Sequence, residues 1–301
     1  MAKKSPPHLV MVKQPTIVNK DPFQTTREED GIKAAIHKVG DRWFNLVTKS
    51  LKSYYETREM ESIEYLLKAM GITELETEDL KALAYEFVQK GYLKGVKLTS
   101  VQLKQLNISI DINLNDKVHQ KALDALKNKL EKQIDTWGNN LYNQIKKTVL
   151  DNQNTELNYR DLLSVLQDQY NISLKDADRW ARDAIIDSAR DAELKTMEDA
   201  GVEIFRWITV IDAKTCDVCI ALNGRLYYSD PLGEGLINYD TGDYLEQELA
   251  DLAATYGLEA IIDTAFGRYG PMIHGSCRCH LQPVLTAAQY KGTVQTIISE
   301  V

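Results

Sequence analysis

All four cysteines of this 301-residue chain lie within 64 residues of one another, in two tight groups. Cys216 and Cys219 form a C-x-x-C pair. Cys277 and Cys279 form a C-x-C pair flanked by His274 and His280, two of the chain's five histidines. Independent scattering does not produce such grouping, so the spacing predicts a fold that closes two distant segments around one divalent ion. Two thiolates presented from one tight turn can face a single metal, as in a zinc knuckle. Cys216 and Cys219 belong to every sensible ligand set. The other two positions fall to Cys277 and Cys279, the all-cysteine set favoured by the spacing, or to His274 with Cys277, His274 being the first substitute. Three competing readings stay open. The thiols could be simply buried, or joined as disulfides, which a reducing compartment disfavours. A redox C-x-x-C would sit at the helix start of a βαβ unit rather than in the strand-and-hairpin context expected here. That context comes from Asn223-Gly224, which reads as a type I′ hairpin turn between Ile220–Leu222 and Arg225–Tyr228.

Helical periodicity dominates elsewhere. Ile32, Ile36, Val39, Trp43, Val47 and Leu51 recur at spacings of three and four, marking one face of a helix over about 27–57. Shorter helical patterns cover 61–71 and 77–91, and 95–113 reads as loop or short strand. The longest pattern, from Leu123 through Leu130, Ile134, Trp137 and Leu141 to Val149, predicts a helix near 115–150, roughly 50 Å long. A helix of that length suits a bundle core or a contact between copies of the chain. A polar linker is expected at 151–157, then helices at 158–170 and 174–200, with Ser173 as N-cap of the second and Gly201 as its stop. Val202–Val210 alternates like a strand, and Tyr244–Tyr256 returns to helical period. Residues 1–25 hold four of the seven prolines and read as an extended arm, loose or laid along a partner. The expected class is α+β, mainly helical: the arm at 1–25, a helical region at 26–157, and a C-terminal helix–strand–zinc-knuckle domain at 158–301.

Charge and motif content narrow the function. Residues 1–150 carry 24 Lys+Arg against 19 Asp+Glu, a net +5; residues 151–301 carry 12 against 25, a net −13. The acidic half is a poor candidate for gripping nucleic acid alone, because such affinity comes largely from neutralising phosphates. No run approaches the ~18–20 apolar residues of a membrane span, and the N-terminus lacks the pattern of a signal peptide. None of the five histidines has a glutamate two positions on, so the zinc-deaminase pattern is missing. H-E-x-x-H, the P-loop and G-x-S-x-G are missing too. Gly233-Glu234-Gly235 reads as loop, and the carboxylates at 240, 243, 246 and 248 as a solvated helix start. No enzymatic role is expected. A zinc enzyme would need His274 or His280 as acid–base with Asp212 or Asp217 nearby.

The two cysteine segments taken together resemble the phage head-morphogenesis family, the Mu F-like minor head proteins. The resemblance rests on Trp207, Asp212, Thr215-Cys216, Cys219, Leu222 and Gly224, then Pro271, His274, Cys277-Arg278-Cys279 and Pro283, and covers roughly 175–285. The helix bearing Arg182 and Arg190 is similar to one in that family, but neither arginine is carried over as functional. The resemblance implies a minor capsid protein of a tailed phage, acting in head morphogenesis and in DNA packaging, retention or ejection. Its implied place is the head interior near the portal, after assembly in the host cytoplasm. The partners it implies are the portal protein, the major capsid or scaffold protein, and packaged DNA; the structural cofactor is Zn(2+). Only 18 residues follow Pro283, so no toxin domain is expected there. The alternative is a zinc-stabilised nucleic-acid-binding module.

Overall fold

The structure, a computed structural model, describes residues 9–11, 22–57, 73–155, 158–262, 273–274 and 277–286. Along the chain these form β1 (Leu9–Met11), α1 (Thr26–Thr57), α2 (Thr73–Gln105), α3 (Lys117–Thr155) and α4 (Tyr159–Asp199). They are followed by β2 (Ile204–Ile208), α5 (Asp217–Leu222), β3 (Leu226–Ser229), β4 (Leu236–Asn238), α6 (Leu245–Tyr256) and β5 (His280–Thr286). The fold is mostly helical, with a small sheet beside a Cys/His cluster, as the sequence predicts. Among the described residues no helix is long and apolar enough to cross a membrane.

The helices run further than periodicity alone suggests. The helix expected at 77–91 extends to Gln105, where loop or strand was expected. Tyr92, Thr99 and Leu103 are buried along that extension, so packing overrides its β-branched residues and Gly95. The expected linker at 151–157 is helical through Thr155. α4 is unbroken across 159–199, and Ser173 is no cap; it sits mid-helix with its carbonyl accepting from Trp137 Nε1 at 3.2 Å. No glycine or proline interrupts that stretch, so nothing local stops it. The true N-cap is Asn158, whose Oδ1 accepts the Asp161 N–H at 3.0 Å. Gly201 does end α4, with Val202 N–H returning to the Met197 carbonyl at 3.0 Å. The helix expected at 61–71 lies outside the described residues.

The chain divides into two compact units that are not consecutive segments. One gathers 26–89 and 124–184; the other gathers 1–25, 90–123 and 185–301. The division expected at 157/158 follows neither. In the first unit the predicted apolar stripes pack as a helical core including Ile32, Ile36, Leu80, Leu130, Ile134 and Leu166, all buried. Phe44 stacks on Tyr170 at 4.6 Å between ring centres, and Tyr170 donates to Asp41 at 2.8 Å.

The second unit holds the sheet, ordered β1-β5-β2-β3-β4 and antiparallel throughout. Its core joins Leu103 of α2 and Met197 of α4 to Trp207, Tyr227, Leu249 and Leu281. β1 pairs with the chain's own β5, Leu9 opposite Thr286. Phe23 is buried against Ile186 and Ala189 and meets the His280 ring edge-on at 6.2 Å. The described part of the N-terminal arm is thus folded onto its own unit.

Candidate metal centre

The first ligand segment is built on a tight turn. After β2, Thr215 Oγ1 donates to the Val210 carbonyl at 2.7 Å and accepts the Asp212 N–H at 2.8 Å, while Asp212 Oδ1 accepts the Lys214 N–H at 2.8 Å. This knot delivers Cys216 as the N-cap of α5, with its Sγ accepting the Cys219 N–H at 3.4 Å. C-x-x-C therefore opens a short helix, where sequence reasoning expected a strand and hairpin. Asn223-Gly224 is correspondingly not a type I′ hairpin turn. Asn223 has φ −59° and ψ 125°, Gly224 has φ +87°, and Arg225 N–H closes on the Leu222 carbonyl at 3.0 Å. Those angles define a type II turn, whose third position needs the positive φ that glycine adopts without steric cost. Asn223 Oδ1 then accepts the Thr209 N–H at 3.0 Å, tying the knuckle to the end of β2.

The second segment arrives through sheet register. β5 runs antiparallel to β2 with His280 opposite Ile208. The end of β2, which leads into C-x-x-C, therefore lies beside the start of β5, which trails C-R-C. Five donors result, in two overlapping groups: Cys216, Cys219 and His274, and Cys219, Cys277 and Cys279. His274 Nε2 lies 3.3 Å from both Cys216 Sγ and Cys219 Sγ, and Cys219 Sγ lies 4.0 Å from Cys277 Sγ. Each group could hold a metal ion, and Cys219 belongs to both. All five predicted ligands are brought together, and none of the four cysteines is in a disulfide. His280 stands outside both groups.

Side chains that sequence reasoning passed over fix the second segment. Arg190 of α4, 2% exposed, donates from Nε to the Cys279 carbonyl at 2.6 Å and from Nη2 to the Cys277 carbonyl at 2.5 Å. Arg278 grips Asp212 with both terminal nitrogens, at 2.7 and 2.6 Å, joining the two ligand segments directly. Such planar two-point contacts restrict orientation as well as distance. Glu193 of α4 accepts the Leu281 N–H at 2.8 Å and fixes the start of β5. The sequence signal for the α4 pair was present: Arg190 and Glu193, three apart, fall among Ala189, Ala192 and Met197 on the buried side of the helix. Glu248, expected on a solvated helix start, is also buried; it accepts from Tyr227 Oη at 2.6 Å and Asn238 Nδ2 at 3.0 Å.

Contact between the Cys216 and Cys219 side chains pushes the Cys219 thiol up and the Cys216 thiol down. Contact with the Cys219 side chain, reinforced by His274, brings the Cys216 thiol down to about 4. Burial pushes Cys279 the other way, upward. Asp212 is held well below the usual carboxylate range by Arg278, which leaves it engaged in the link between the two ligand segments, where an enzymatic reading required a carboxylate beside a histidine acid–base. Asp217 is exposed at the start of α5.

Comparison with known protein families, curated proteins and solved structures finds no match for this chain. Its centre stands on its own geometry.

Burial raises the Glu193 carboxyl to about 8, with Arg190 opposing more weakly. Between an ordinary value near 4.5 and about 8 the unfolded chain releases a proton that the folded chain keeps, so stability falls as pH rises through that window. The steepest slope for one proton is about 1.4 kcal/mol per pH unit. Glu193→Gln is expected to gain on the wild type by about 2–3 kcal/mol between pH 6 and 8. Urea unfolding midpoints at the two pH values measure it; a constant difference would place an ionised Glu193 in the folded state.

Proposed function

We propose that this chain is a zinc-stabilised binding module and that the ion is structural. The observation carrying this reading is the gathering of four thiols and one imidazole into two overlapping groups that share Cys219. Tetrahedral zinc with sulfur bonds near 2.3 Å separates its donors by about 3.8 Å, and the His274 Nε2 contacts with Cys216 and Cys219 at 3.3 Å and the Cys219–Cys277 contact at 4.0 Å lie near that value. Thiolate-rich donor sets favour soft or borderline ions. Closing the two segments around zinc makes binding free energy part of folding free energy, which stabilises a sheet of short strands. Elemental analysis of protein purified under reducing conditions is expected to find about one zinc per chain; folded, metal-free protein would overturn the reading.

Nucleic acid is the partner that surface charge supports. Residues 90–123 carry six lysines against two aspartates. Lys90, Lys97 and Lys104 recur every seven residues on the exposed side of α2, and Lys117 and Lys121 are exposed at the start of α3. Lysines seven apart on a helix are about 10 Å apart, a span that covers several duplex phosphates. The acidic stretch of the same unit lies elsewhere in sequence, so the net charge of −13 does not describe this face.

A second reading, a portal-associated minor head protein of a tailed phage, draws support from the motif resemblance around the cysteines. Portal and capsid contacts, location in the head interior, and a role in packaging or ejection belong to it. Salt-sensitive DNA binding lost in Lys97→Glu/Lys104→Glu favours the module alone. Co-sedimentation with a portal ring that survives those changes favours the head protein.

A further inference from the structure

Within the helical unit, α3 and α4 leave between them an open groove of about 450 Å³, a volume in the range of small-molecule sites. We propose that this groove binds a nucleotide, its base against Trp180 and its phosphate at Lys132. The metal centre and the Lys97–Lys104 face belong to the other unit.

Lys129, Lys132, Gln133 and Trp137 line the groove from one side of α3, at steps of three and four residues, and Asp176 and Trp180, four apart, line it from α4. Trp137 is fixed in place, with its indole N–H donated to the Ser173 carbonyl at 3.2 Å. Trp180 differs from the chain's other three tryptophans. Trp43, Trp137 and Trp207 are 6%, 7% and 0% exposed, whereas Trp180 is only half-buried, and its indole N–H has no hydrogen-bond partner. On the α3 side of the same groove, Gln133 Oε1 also lacks one. Polar atoms withdrawn from water without a partner cost free energy, which a bound group that bonds them recovers.

One unbonded donor and one unbonded acceptor call for a ligand that carries an acceptor and a donor. A nucleobase edge has both, a ring nitrogen beside an exocyclic amine, on a flat face that stacks on an indole. Charge adds the phosphate. Lys129 and Lys132 put two ammonium groups on the α3 wall, Lys132 at an exposed position, and ammonium binds phosphate as a point charge. Asp176 on the α4 wall lies 3.6 Å from Arg179, which blunts its repulsion of an anion. A neutral sugar would satisfy the two polar atoms and leave the lysines without a role.

Tryptophan fluorescence of the full chain during titration with adenosine 5′-monophosphate tests the site, because Trp180 is the tryptophan a ligand can reach. Saturable quenching is expected, about 10-fold weaker with adenosine, which lacks the phosphate. Inorganic phosphate alone should leave the signal unchanged. Lys132→Glu should weaken binding by about 10-fold or more, and Trp180→Phe should remove the quenching. Lys97→Glu/Lys104→Glu should alter neither, so the groove and the lysine face of α2 stand or fall separately. A short single strand of deoxyadenylate distinguishes the sources: tighter binding than the monophosphate indicates a base presented by a strand, weaker binding a free nucleotide. No saturation up to about 10 mM monophosphate, an equal response to inorganic phosphate, or binding indifferent to Lys132→Glu would each overturn the proposal.

Discussion

Cys219→Ser is expected to abolish metal retention and unfold the sheet, the largest effect of any single substitution at the centre. Cys219 is the only donor common to both groups, so neither remaining pair can recruit it from the other side. Its backbone matters as well: its N–H is taken by Cys216 Sγ and its carbonyl by Thr209. A structural zinc contributes about 10 kcal/mol to folding in small zinc domains, comparable to the whole stability of an ordinary domain at about 5–15 kcal/mol. On the zinc reading, loss of the ion is therefore expected to remove most or all of the margin that keeps β2 and β5 paired. Amide hydrogen exchange should become fast across Ile204–Ile208 and His280–Thr286 and remain slow across the Leu130–Val149 stretch of α3. Equal loss of protection in both places would show that the two compact units unfold together. Excess chelator applied to the wild-type chain should reproduce the variant's pattern.

Gly95→Ala is expected to destabilise the sheet-bearing unit by roughly 3 kcal/mol, at the upper end of the ordinary cost of overpacking. A methyl group at this position would lie 1.9 Å from the Ala189 carbonyl oxygen, a backbone atom that cannot rotate away. Gly91, one turn earlier, faces Ser188 and the Ile185 carbonyl in the same crossing. The two glycines let α2 approach the stretch of α4 that carries Arg190 and Glu193. Opening that crossing would move the two side chains that hold the second ligand segment. For a unit of this size the penalty corresponds to a fall in Tm of about 10 °C. Gly138→Ala is the control, since its nearest neighbour is a Thr77 methyl carbon at 3.8 Å. Calorimetry of the two variants tests the claim; equal Tm values would show that the helices separate at little cost.

The candidate ligand residues were legible because ligation chemistry leaves a local mark. C-x-x-C, H-x-x-C and C-R-C announce themselves by spacing. Helix existence was equally legible in Ile32–Leu51 and Leu123–Val149, where burial on one side imposes a period that survives in sequence. Helix limits were not. Nothing between Leu93 and Gln105 advertises a helix, and the stretch is helical because Tyr92 and Leu103 are buried. Ser173 carries a good capping pattern that goes unused, since a polar side chain can cap only where the chain has another reason to begin a helix.

Asn223-Gly224 shows the limit of motif reading most clearly. The dipeptide correctly marks a turn with positive φ at Gly224, but the turn type depends on whether a helix or a strand precedes it. The helical start of α5 settled that.

What the amino-acid sequence determined alone was the inventory: which residue types cluster, which faces are apolar, and how charge divides along the chain. Tertiary structure decided the meeting of segments. The antiparallel register of β2 and β5 sets C-R-C beside C-x-x-C, and Arg190, 87 residues from Cys277, reaches its carbonyl only because α4 packs beneath that register. Spacing along a chain constrains near neighbours through bond geometry, whereas contacts between distant segments are selected by the burial of whole faces, which no short motif encodes.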